Sequence, residues 1–369
     1  MTVDAETLRR WLEDGILVSI LDVRPLGERA EWSIPGSLHV DAYDALRAND
    51  PRALDSVSLP REQPVVTVCA AGRTSLRAAE ILRARGHTVY SLEGGMRAWT
   101  GAWNTAEVPA GVPGVRIIQI RRTGKGCLSY MVAADGEAAV IDASVDPRVY
   151  TDIAKNAGWK IAAVIETHVH ADHVSRAIPL CRDTGALLHV PEQKRVSFPY
   201  VPVRHGHTIP LGALPDAFTA LRTPGHTEES TCYILGEGKA VFTEDTLFLG
   251  GVGRPDLEGG PAKADSLSRA LHRSLGRLQS LPDDSLVLPS HTGAPVDFDG
   301  IPLCGPLRQV RRQNRLLGLP EEEFVASILA RIPPVPPNFG RIMDINESGR
   351  LPESDPSELE AGSNRCAVS

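Results

Sequence analysis

The chain has 369 residues, of which 42% are hydrophobic and 23% charged, and its formal net charge at pH 7 is -7. This length exceeds one ordinary domain, so two domains are expected. The acidic balance and the lack of a long basic block argue against nucleic acid and anionic membrane surfaces as partners. No apolar run is long enough for a membrane helix, and the acidic N-terminus lacks the apolar segment of a secretory signal. A cytoplasmic protein is therefore expected.

The first hundred residues predict an α/β domain. Short apolar strands are expected at 17–21, 65–68 and 88–90, and a helix is expected at 74–85 with Gly86 at its end. Short strands that alternate with helices indicate a mainly parallel sheet.

Cys69 lies where the strand at 65–68 meets the following helix. Sites in open α/β sheets form at the carboxyl ends of strands. The backbone N–H groups of a loop that leads into a helix favour an anion and lower the pKa of a thiol. A buried structural cysteine is the ordinary alternative at a strand end. The residues of this candidate sulfur-substrate loop are Cys69, Ala70, Ala71, Gly72, Arg73 and Thr74.

Residues 5–100 resemble the rhodanese (sulfurtransferase) family. The matching stretches are Leu21 to Arg24, Ile34 to Ser37, the six-residue loop Cys69 to Thr74, and Glu93 to Trp99. The resemblance implies that Cys69 accepts a sulfane sulfur as a persulfide and passes it to an acceptor. One departure is Trp32-Ser33, where the family usually has Gly-His, and we expect it to affect packing more than chemistry.

A segment rich in glycine, proline and small residues follows the first domain. This composition predicts a linker. The predicted organisation is a first domain at 1–100, a linker at 101–114, a second domain at 115–346, and a polar, disordered tail at 347–369.

The second domain carries a dense group of metal-ligand residues at His168, His170, Asp172 and His173, directly after a predicted strand at 161–165. A chain that leaves a strand still extended places His168 and His170 on one face. Neutral imidazoles and a carboxylate suit zinc, iron or manganese.

Three more ligand-type residues, His226, Asp245 and His291, each lie in a turn after an apolar strand. Enzymes carry their sites on such loops at the ends of sheets. The strands form two groups with helices outside, which fits an αββα sandwich. Together with the first group, seven candidate ligands converge from four loops.

These residues resemble the metallo-β-lactamase superfamily over 115–300, and the run from Phe242 to Leu257 is similar to persulfide dioxygenases. The resemblance implies one Fe(II) per chain, held by His168, His226 and Asp245. It implies that the remaining four, His170, Asp172, His173 and His291, form an outer shell or hold a second metal. In the same run, Arg254 is a candidate substrate-binding residue. Glu244 replaces a family glycine and is expected to face away from the metal.

The two resemblances imply a bifunctional sulfur enzyme. It would oxidise glutathione persulfide, or a similar persulfide, with O₂ to sulfite and thiol, and Cys69 would transfer sulfane sulfur with thiosulfate or sulfite as substrate. One alternative stays open: a hydrolase of thioesters or lactones, like glyoxalase II, with two zinc ions and an attached rhodanese module. Another is a rhodanese-like domain that only senses or binds sulfur. A homo-oligomer is also left open.

Overall fold

The computed structural model describes residues 1–353, 356–362 and 364–369. Its N-terminal part is an α/β domain around a five-stranded parallel sheet with the strand order β1-β5-β4-β2-β3. The strands are β1 Thr2–Val3, β2 Ser19–Asp22, β3 Leu38–His39, β4 Val65–Val68 and β5 Val89–Leu92. The helices are α1 Ala5–Glu13, α2 Leu26–Glu31, α3 Tyr43–Arg47, α4 Thr74–Ala84 and α5 Gly95–Trp99. The predicted α/β class and parallel sheet are confirmed.

Strand β4 is central in this sheet and buried over its whole length. Helix α4 follows it directly and turns a stripe of small and apolar side chains, including Ala78, Ala79 and Leu82, onto the sheet. Burial on both faces suits the β-branched residues of β4. The turn between β4 and α4, which contains Cys69, is thereby fixed at both ends.

The rest of the chain forms two sheets that pack face to face, with helices on both outer sides. The strand orders are β12-β11-β10-β9-β8-β7-β6 and β13-β14-β15-β16-β18-β19. The first sheet contains β6 Asn104–Val108, β7 Val115–Arg122, β8 Cys127–Ala134, β9 Glu137–Ile141, β10 Lys160–Ile165, β11 Leu187–Pro191 and β12 Val201–Val203. The second contains β13 Thr208–Leu211, β14 Leu214–Arg222, β15 Thr231–Leu235, β16 Ala240–Glu244, β18 Leu286–Pro289 and β19 Gly305–Pro306.

Apolar side chains from both inner faces form the core between these sheets, where the Tyr130 and Phe242 rings lie 5.1 Å apart. Helices α6 Pro147–Ala157 and α7 Ala177–Thr184 cover the first sheet. The second sheet is covered by α8 Pro261–Leu278, α9 Leu307–Gln313 and α10 Glu321–Arg331, with a 3₁₀ turn at Arg315–Gly318. The predicted αββα sandwich is confirmed.

Part of the predicted linker is a strand. Residues Asn104–Val108 form β6 and pair antiparallel with β7 at the edge of the first sheet. Alternate side chains of β6, at Asn104, Ala106 and Val108, are buried. The strand was not predicted because its alternation of buried and more exposed residues covers only five positions. The glycine and proline residues on either side indicated a linker instead.

The predicted disorder of 347–369 is wrong for most of that segment. Helix α11 spans Phe339–Ser348 and so extends into this segment, and helix α12 spans Ser357–Glu360. Strand β20, Ala367–Val368, pairs antiparallel with β17, Val252–Gly253. The tail is ordered because its few polar anchors find partners far away in the sequence, which composition does not reveal. The prediction for 354, 355 and 363 lies outside the described residues.

Trp32, the departure from the rhodanese pattern, lies at the junction of the two domains. Its indole Nε1 donates to the Thr123 carbonyl at 3.0 Å, and its ring covers Gly126 closely. At this position the large ring packs across the junction and lines the same cavity as Ala70, so its effect on packing more than on chemistry stays a prediction.

Candidate metal centre

Asp142, at the end of β9, positions the His168–His173 loop. Its Oδ1 accepts from the Thr167 backbone N–H at 2.9 Å, and its Oδ2 accepts from Thr167 Oγ1 at 2.8 Å. Two bonds to one residue fix the direction in which the chain leaves β10. Sequence reasoning missed Asp142, although its place directly after an apolar strand repeats the pattern of the other site residues.

His168, His226 and Asp245 meet in one buried place. His226 Nε2 lies 3.3 Å from Asp245 Oδ2, and His168 Nε2 lies 3.8 Å from the same oxygen. Neither His168 Nε2 nor Asp245 Oδ2 has a hydrogen-bond partner within the described part of the chain. Buried polar atoms rarely stay unpaired, because their desolvation is then uncompensated. These two atoms and a ring nitrogen of His226 form a group of three donors that could hold a metal ion.

The charges in this place also suit metal binding. Burial, together with the neighbouring His170 imidazole, holds the pKa of His168 well below its usual range. Burial opposes ionisation of Asp245, but the imidazoles of His291 and His226 hold the pKa of its carboxyl well below its usual range. A neutral imidazole and an ionised carboxylate are the forms that bind metals.

Second contacts orient the two imidazoles. His226 Nδ1 donates to the Arg254 carbonyl at 2.8 Å, which leaves Nε2 free as a ligand atom. His168 Nδ1 lies 2.9 Å from Thr167 Oγ1 and 3.1 Å from Glu244 Oε2. Such contacts to the far ring nitrogen fix the tautomer of a ligand histidine.

Glu244 therefore contacts the side of the His168 ring away from Asp245. It has a φ of 45°, in the left-handed region that favours glycine, which accounts for the glycine of the family pattern at this position. Burial raises the pKa of its carboxyl well above its usual range. Its placement agrees with the expectation that it does not face the metal position.

The glycine at 253 lets the following loop pass directly over Asp245. A Cβ on Gly253 would lie 1.8 Å from the Asp245 carbonyl oxygen and 3.1 Å from the Cβ of His226. Only a residue without a side chain permits this approach, so the glycine-rich run after β16 serves to close the centre around its ligands.

His170, predicted for the outer shell or a second metal, lies between two acidic groups. Its Nε2 is 3.2 Å from Asp142 Oδ1 and 3.5 Å from Glu166 Oε2. The Asp142 and Glu166 carboxylates overcome the effect of burial and hold the pKa of His170 well above its usual range. Its Nδ1 has no partner among the residues that the structure describes.

Asp172, His173 and His291 form a second group beside Asp245. The His291 ring joins two carboxylates, with Nδ1 at 2.6 Å from Asp245 Oδ1 and Nε2 at 2.9 Å from Asp172 Oδ2. His173 Nδ1 lies 3.1 Å from Asp172 Oδ1. Cys127 adds a thiol, with Sγ 3.3 Å from Asp172 Oδ2. All seven predicted ligand residues are thus brought into one buried network.

Cys127 was missed by sequence reasoning. It begins β8 and forms an isolated bridge with His291. Burial raises the pKa of its thiol, but the His173 imidazole offsets this and brings the value to about 7. Its only sequence signal is its position at the start of a buried strand, where nothing distinguishes it from a core cysteine.

Arg254 is not available to a substrate, and the prediction of a binding role for it is wrong. It is fully buried, and its Nε and Nη2 donate to Asp256 at 2.8 Å. Its remaining donors reach the carbonyls of Pro333, Pro334 and Arg365 at 2.9 to 3.1 Å. All five N–H groups of the guanidinium are then in use. The residue ties the glycine-rich loop to the proline-rich segment and the tail.

Cys69 lies in the tight turn between β4 and α4 and is only 2% exposed. Its Sγ is 3.3 Å from Ser75 Oγ, which accepts from Ser91 Oγ at 2.8 Å. The Cys69 carbonyl accepts from Met96 N at 2.9 Å, and a Cβ on Gly95 would lie 2.1 Å from that carbonyl oxygen. The glycine pair at the start of α5, Gly94 and Gly95, is therefore required for the loop to close.

Other members of the predicted sulfur-substrate loop are placed around this turn. Arg73 is exposed just before α4, and Gly72 has a φ of 78°. Ala70 lines a cavity of about 220 Å³ together with Met96 and Gly362. Ala71 and Thr74 are half-buried.

The C-terminal segment also reaches the metal centre, which sequence reasoning missed. Asn364 Nδ2 donates to Asp172 Oδ2 at 3.0 Å. Cys366 is buried, and its Sγ, an Asp245 carboxylate oxygen and a His291 ring nitrogen all lie within 4.8 Å of one another. No signal in a polar C-terminal sequence indicates such contacts.

Comparison with known protein families finds one match in each half of the chain. The rhodanese-like domain model matches residues 4–102, and the metallo-beta-lactamase superfamily model matches residues 122–291. The hydroxyacylglutathione hydrolase of Rhizobium meliloti (strain 1021) is 33% identical over 156 residues, 42% of this chain and 57% of that protein. That of Rhodopseudomonas palustris (strain BisA53) is 32% identical over 183 residues, 48% of this chain and 68% of that protein. The chain thus spans less than two thirds of the first of these relatives.

Two solved structures share the fold of the second domain. ETHE1 from Myxococcus xanthus is 29% identical with a TM-score of 0.55, and the match covers 63% of this chain and 97% of that one. A metallo-beta-lactamase from Staphylococcus aureus subsp. aureus COL is 23% identical with a TM-score of 0.57, over 68% of this chain and 75% of that one, and shows the fold alone.

The chain belongs to the metallo-beta-lactamase superfamily and carries a rhodanese-like domain at its N-terminus. Across the described residues, no helix combines the length and apolar character needed to span a membrane.

Proposed function

We propose that the second domain oxidises a low-molecular-weight persulfide such as glutathione persulfide with O₂, and that Cys69 transfers sulfane sulfur. The observation that carries the proposal is the convergence of His168 Nε2, His226 Nε2 and Asp245 Oδ2 on one buried point, in a chain whose other domain is rhodanese-like. The overall reaction takes the persulfide, O₂ and water to sulfite and the free thiol.

The donor set fits one Fe(II). Held by His168, His226 and Asp245, this ion would supply open positions for O₂ and a sulfur ligand. The protein contributes the orientation of these ligands: the Arg254 carbonyl holds His226, and Thr167 holds His168. The Asp245 and Asp172 carboxylates overcome burial and hold the pKa of His291 well above its usual range.

The first domain would act by exchange of sulfur between nucleophiles. The Cys69 thiolate attacks the outer sulfur of thiosulfate, the sulfur–sulfur bond breaks, and sulfite leaves with the bonding electrons. The resulting persulfide passes its outer sulfur to a thiol or, in the reverse direction, to sulfite. Sulfite is also the product assigned to the metal centre, so the two sites can act in sequence.

The test is anaerobic purification and metal analysis, followed by oxygen uptake after addition of glutathione persulfide. We expect one iron per chain and O₂ consumption matched by sulfite plus thiosulfate. An iron-loaded sample that takes up no O₂ would refute the dioxygenase assignment.

A second candidate is a hydrolase with two zinc ions that acts on glutathione thioesters or on lactones. It is supported by the names of the curated relatives and by the second group of ligand-type residues, Cys127, Asp172, His173 and His291. Two zinc ions per chain together with hydrolysis of an acylglutathione would favour it. The same purified protein answers both questions, because metal content is measured before either substrate is added.

A further inference from the structure

The C-terminal strap, defined as residues 364–368, crosses the candidate metal centre in a fixed conformation. Ala367–Val368 pairs antiparallel with Val252–Gly253. The Arg254 backbone N–H donates to the Cys366 carbonyl at 2.9 Å, and Arg254 Nη1 donates to the Arg365 carbonyl at 3.1 Å. Four consecutive residues of the strap are thereby held against the loop that follows Asp245.

Two strap side chains point into the centre rather than away from it. Asn364 Nδ2 donates to Asp172 Oδ2 at 3.0 Å. Cys366 is 1% exposed, and its thiol forms a group with Asp245 and His291 in which the ligand atoms lie within 4.8 Å of one another. The Asp245 side chain is fully buried, and its Oδ2 lacks a hydrogen-bond partner among the described residues.

We propose that Cys366 is an intramolecular thiol ligand for a metal ion held with Asp245 and His291, beside the position defined by His168, His226 and Asp245. A buried cysteine in an apolar core behaves as a small hydrophobic residue. The Cys366 thiol instead lies within 4.8 Å of a carboxylate oxygen and an imidazole nitrogen, and thiolates are strong ligands for iron, zinc and cobalt. On metal binding its S–H bond breaks, the sulfur donates the electron pair to the metal, and the proton is released to solvent.

This assignment goes beyond the proposed function and does not depend on it, because a thiolate ligand suits either an iron or a zinc centre. It also differs from a role for Cys127. That thiol contacts Asp172 and His173 from β8, whereas Cys366 approaches Asp245 and His291 from the strap. The two cysteines can therefore be separated by substitution.

The experiment uses the full chain loaded with Co²⁺, whose absorption reports its ligands. A thiolate ligand gives an intense charge-transfer band in the near ultraviolet, and the weaker visible bands report bound cobalt in any ligand set. We expect the charge-transfer band in the unmodified protein, its loss in Cys366→Ser with visible bands retained, and its retention in Cys127→Ser. Cys304→Ser, which changes a half-buried cysteine outside all the ligand groups, is the matched control.

X-ray absorption on the unmodified zinc-loaded protein gives a result that does not depend on the folding of any variant. A sulfur scatterer at about 2.3 Å is expected. A shell of nitrogen and oxygen alone would overturn the proposal. So would a charge-transfer band that persists in Cys366→Ser or disappears in Cys127→Ser.

Discussion

At the scale of single residues, the Asp245 carboxylate links the two groups of ligand-type residues. It faces both His168 and His226 through Oδ2, while Oδ1 accepts from His291 and from Ser290 Oγ. Its ionised form depends on the cationic and polar groups around it, since burial alone favours the neutral acid. A single neutral substitution therefore tests the whole centre.

We expect Asp245→Asn to weaken metal binding by at least about tenfold, because an amide lacks the charge that binds a divalent ion. The measurement is metal content after dialysis against a weak chelator. Asp146→Asn is the control. Asp146 caps α6 at the surface, and its substitution should lower the free energy of unfolding by about 1 kcal/mol at most. Equal metal content in the two variants would contradict the assigned ligand set.

Sequence reasoning placed the ligand residues because each follows an apolar strand, and strand ends meet at one edge of a sandwich. It failed for Arg254, since its five hydrogen-bond partners come from Asp256, a proline-rich segment and the tail. Whether an arginine is free or fully paired depends on contacts that are 80 or 111 residues away in the chain. No local pattern records them.

At the scale of elements, the turn from β4 to α4 depends on its contact with α5. A Cβ on Gly95 would lie 2.1 Å from the Cys69 carbonyl, and Gly95 also has a φ of 58°. Backbone lies against backbone here, so the strain cannot be relieved by a side-chain rotation. The loop at 69–74 and the glycine pair at 94 and 95 form one structural unit, although the 19 residues from 75 to 93 lie between them.

Gly95→Ala is expected to destabilise the chain by about 3 kcal/mol, the sum of left-handed strain and overpacking. Loss of persulfide formation from thiosulfate should accompany this, with metal content unchanged. Gly111→Ala provides the match, because Gly111 has a φ of 64° with open space around it and should cost about 1 kcal/mol. Chemical denaturation and thiosulfate labelling measure both effects. Similar losses in the two variants would mean that strain, and not the contact with Cys69, sets the cost.

Helix α12 is a second element that composition did not predict. Its Glu360 is fully buried, pairs with Arg122 and Arg176, and accepts from the Val174 backbone N–H at 2.8 Å. Val174 directly follows the His168–His173 loop. The buried Glu360 carboxylate therefore fixes the tail to the metal-binding loop, in a stretch where most of the other described residues are half-buried or exposed.

Glu360→Gln should lower the free energy of unfolding at pH 7 by about 3 kcal/mol, because it leaves buried arginine charge unpaired. Glu358→Gln, at a 79% exposed side chain 3.5 Å from Arg97, should cost less than about 0.5 kcal/mol. Burial opposes ionisation of Glu360, but the two arginines hold its pKa below the ordinary value. Its contribution is thus present above the unfolded pKa and lost as pH falls through the folded pKa. If the difference in the free energy of unfolding between wild type and Glu360→Gln stayed constant as the pH was lowered, this prediction would be contradicted.

At the scale of the whole molecule, the tail contacts both domains and both candidate sites. Arg365 pairs with Glu31 of the rhodanese-like domain at 3.2 Å, while Asn364 reaches Asp172. Ala361 and Gly362 line the cavity that also contains Ala70 of the Cys69 loop. The order of the two domains could be predicted from two local motifs, the Cys69 loop and the His168–His173 stretch. The packing of the tail could not, because it depends on single side chains that share no sequence pattern.

The proposed sequence of reactions predicts how the products divide. With glutathione persulfide and O₂, the unmodified protein should release sulfite and thiosulfate, because the Cys69 persulfide donates its outer sulfur to sulfite. Cys69→Ser removes the nucleophile that forms this persulfide, so oxygen uptake at the metal centre should continue while sulfite becomes the main product. Anion chromatography of timed samples measures the ratio. Cys181→Ser, which alters a partly buried thiol outside the ligand groups, should keep the wild-type ratio. An unchanged ratio in Cys69→Ser would mean that the two sites work independently.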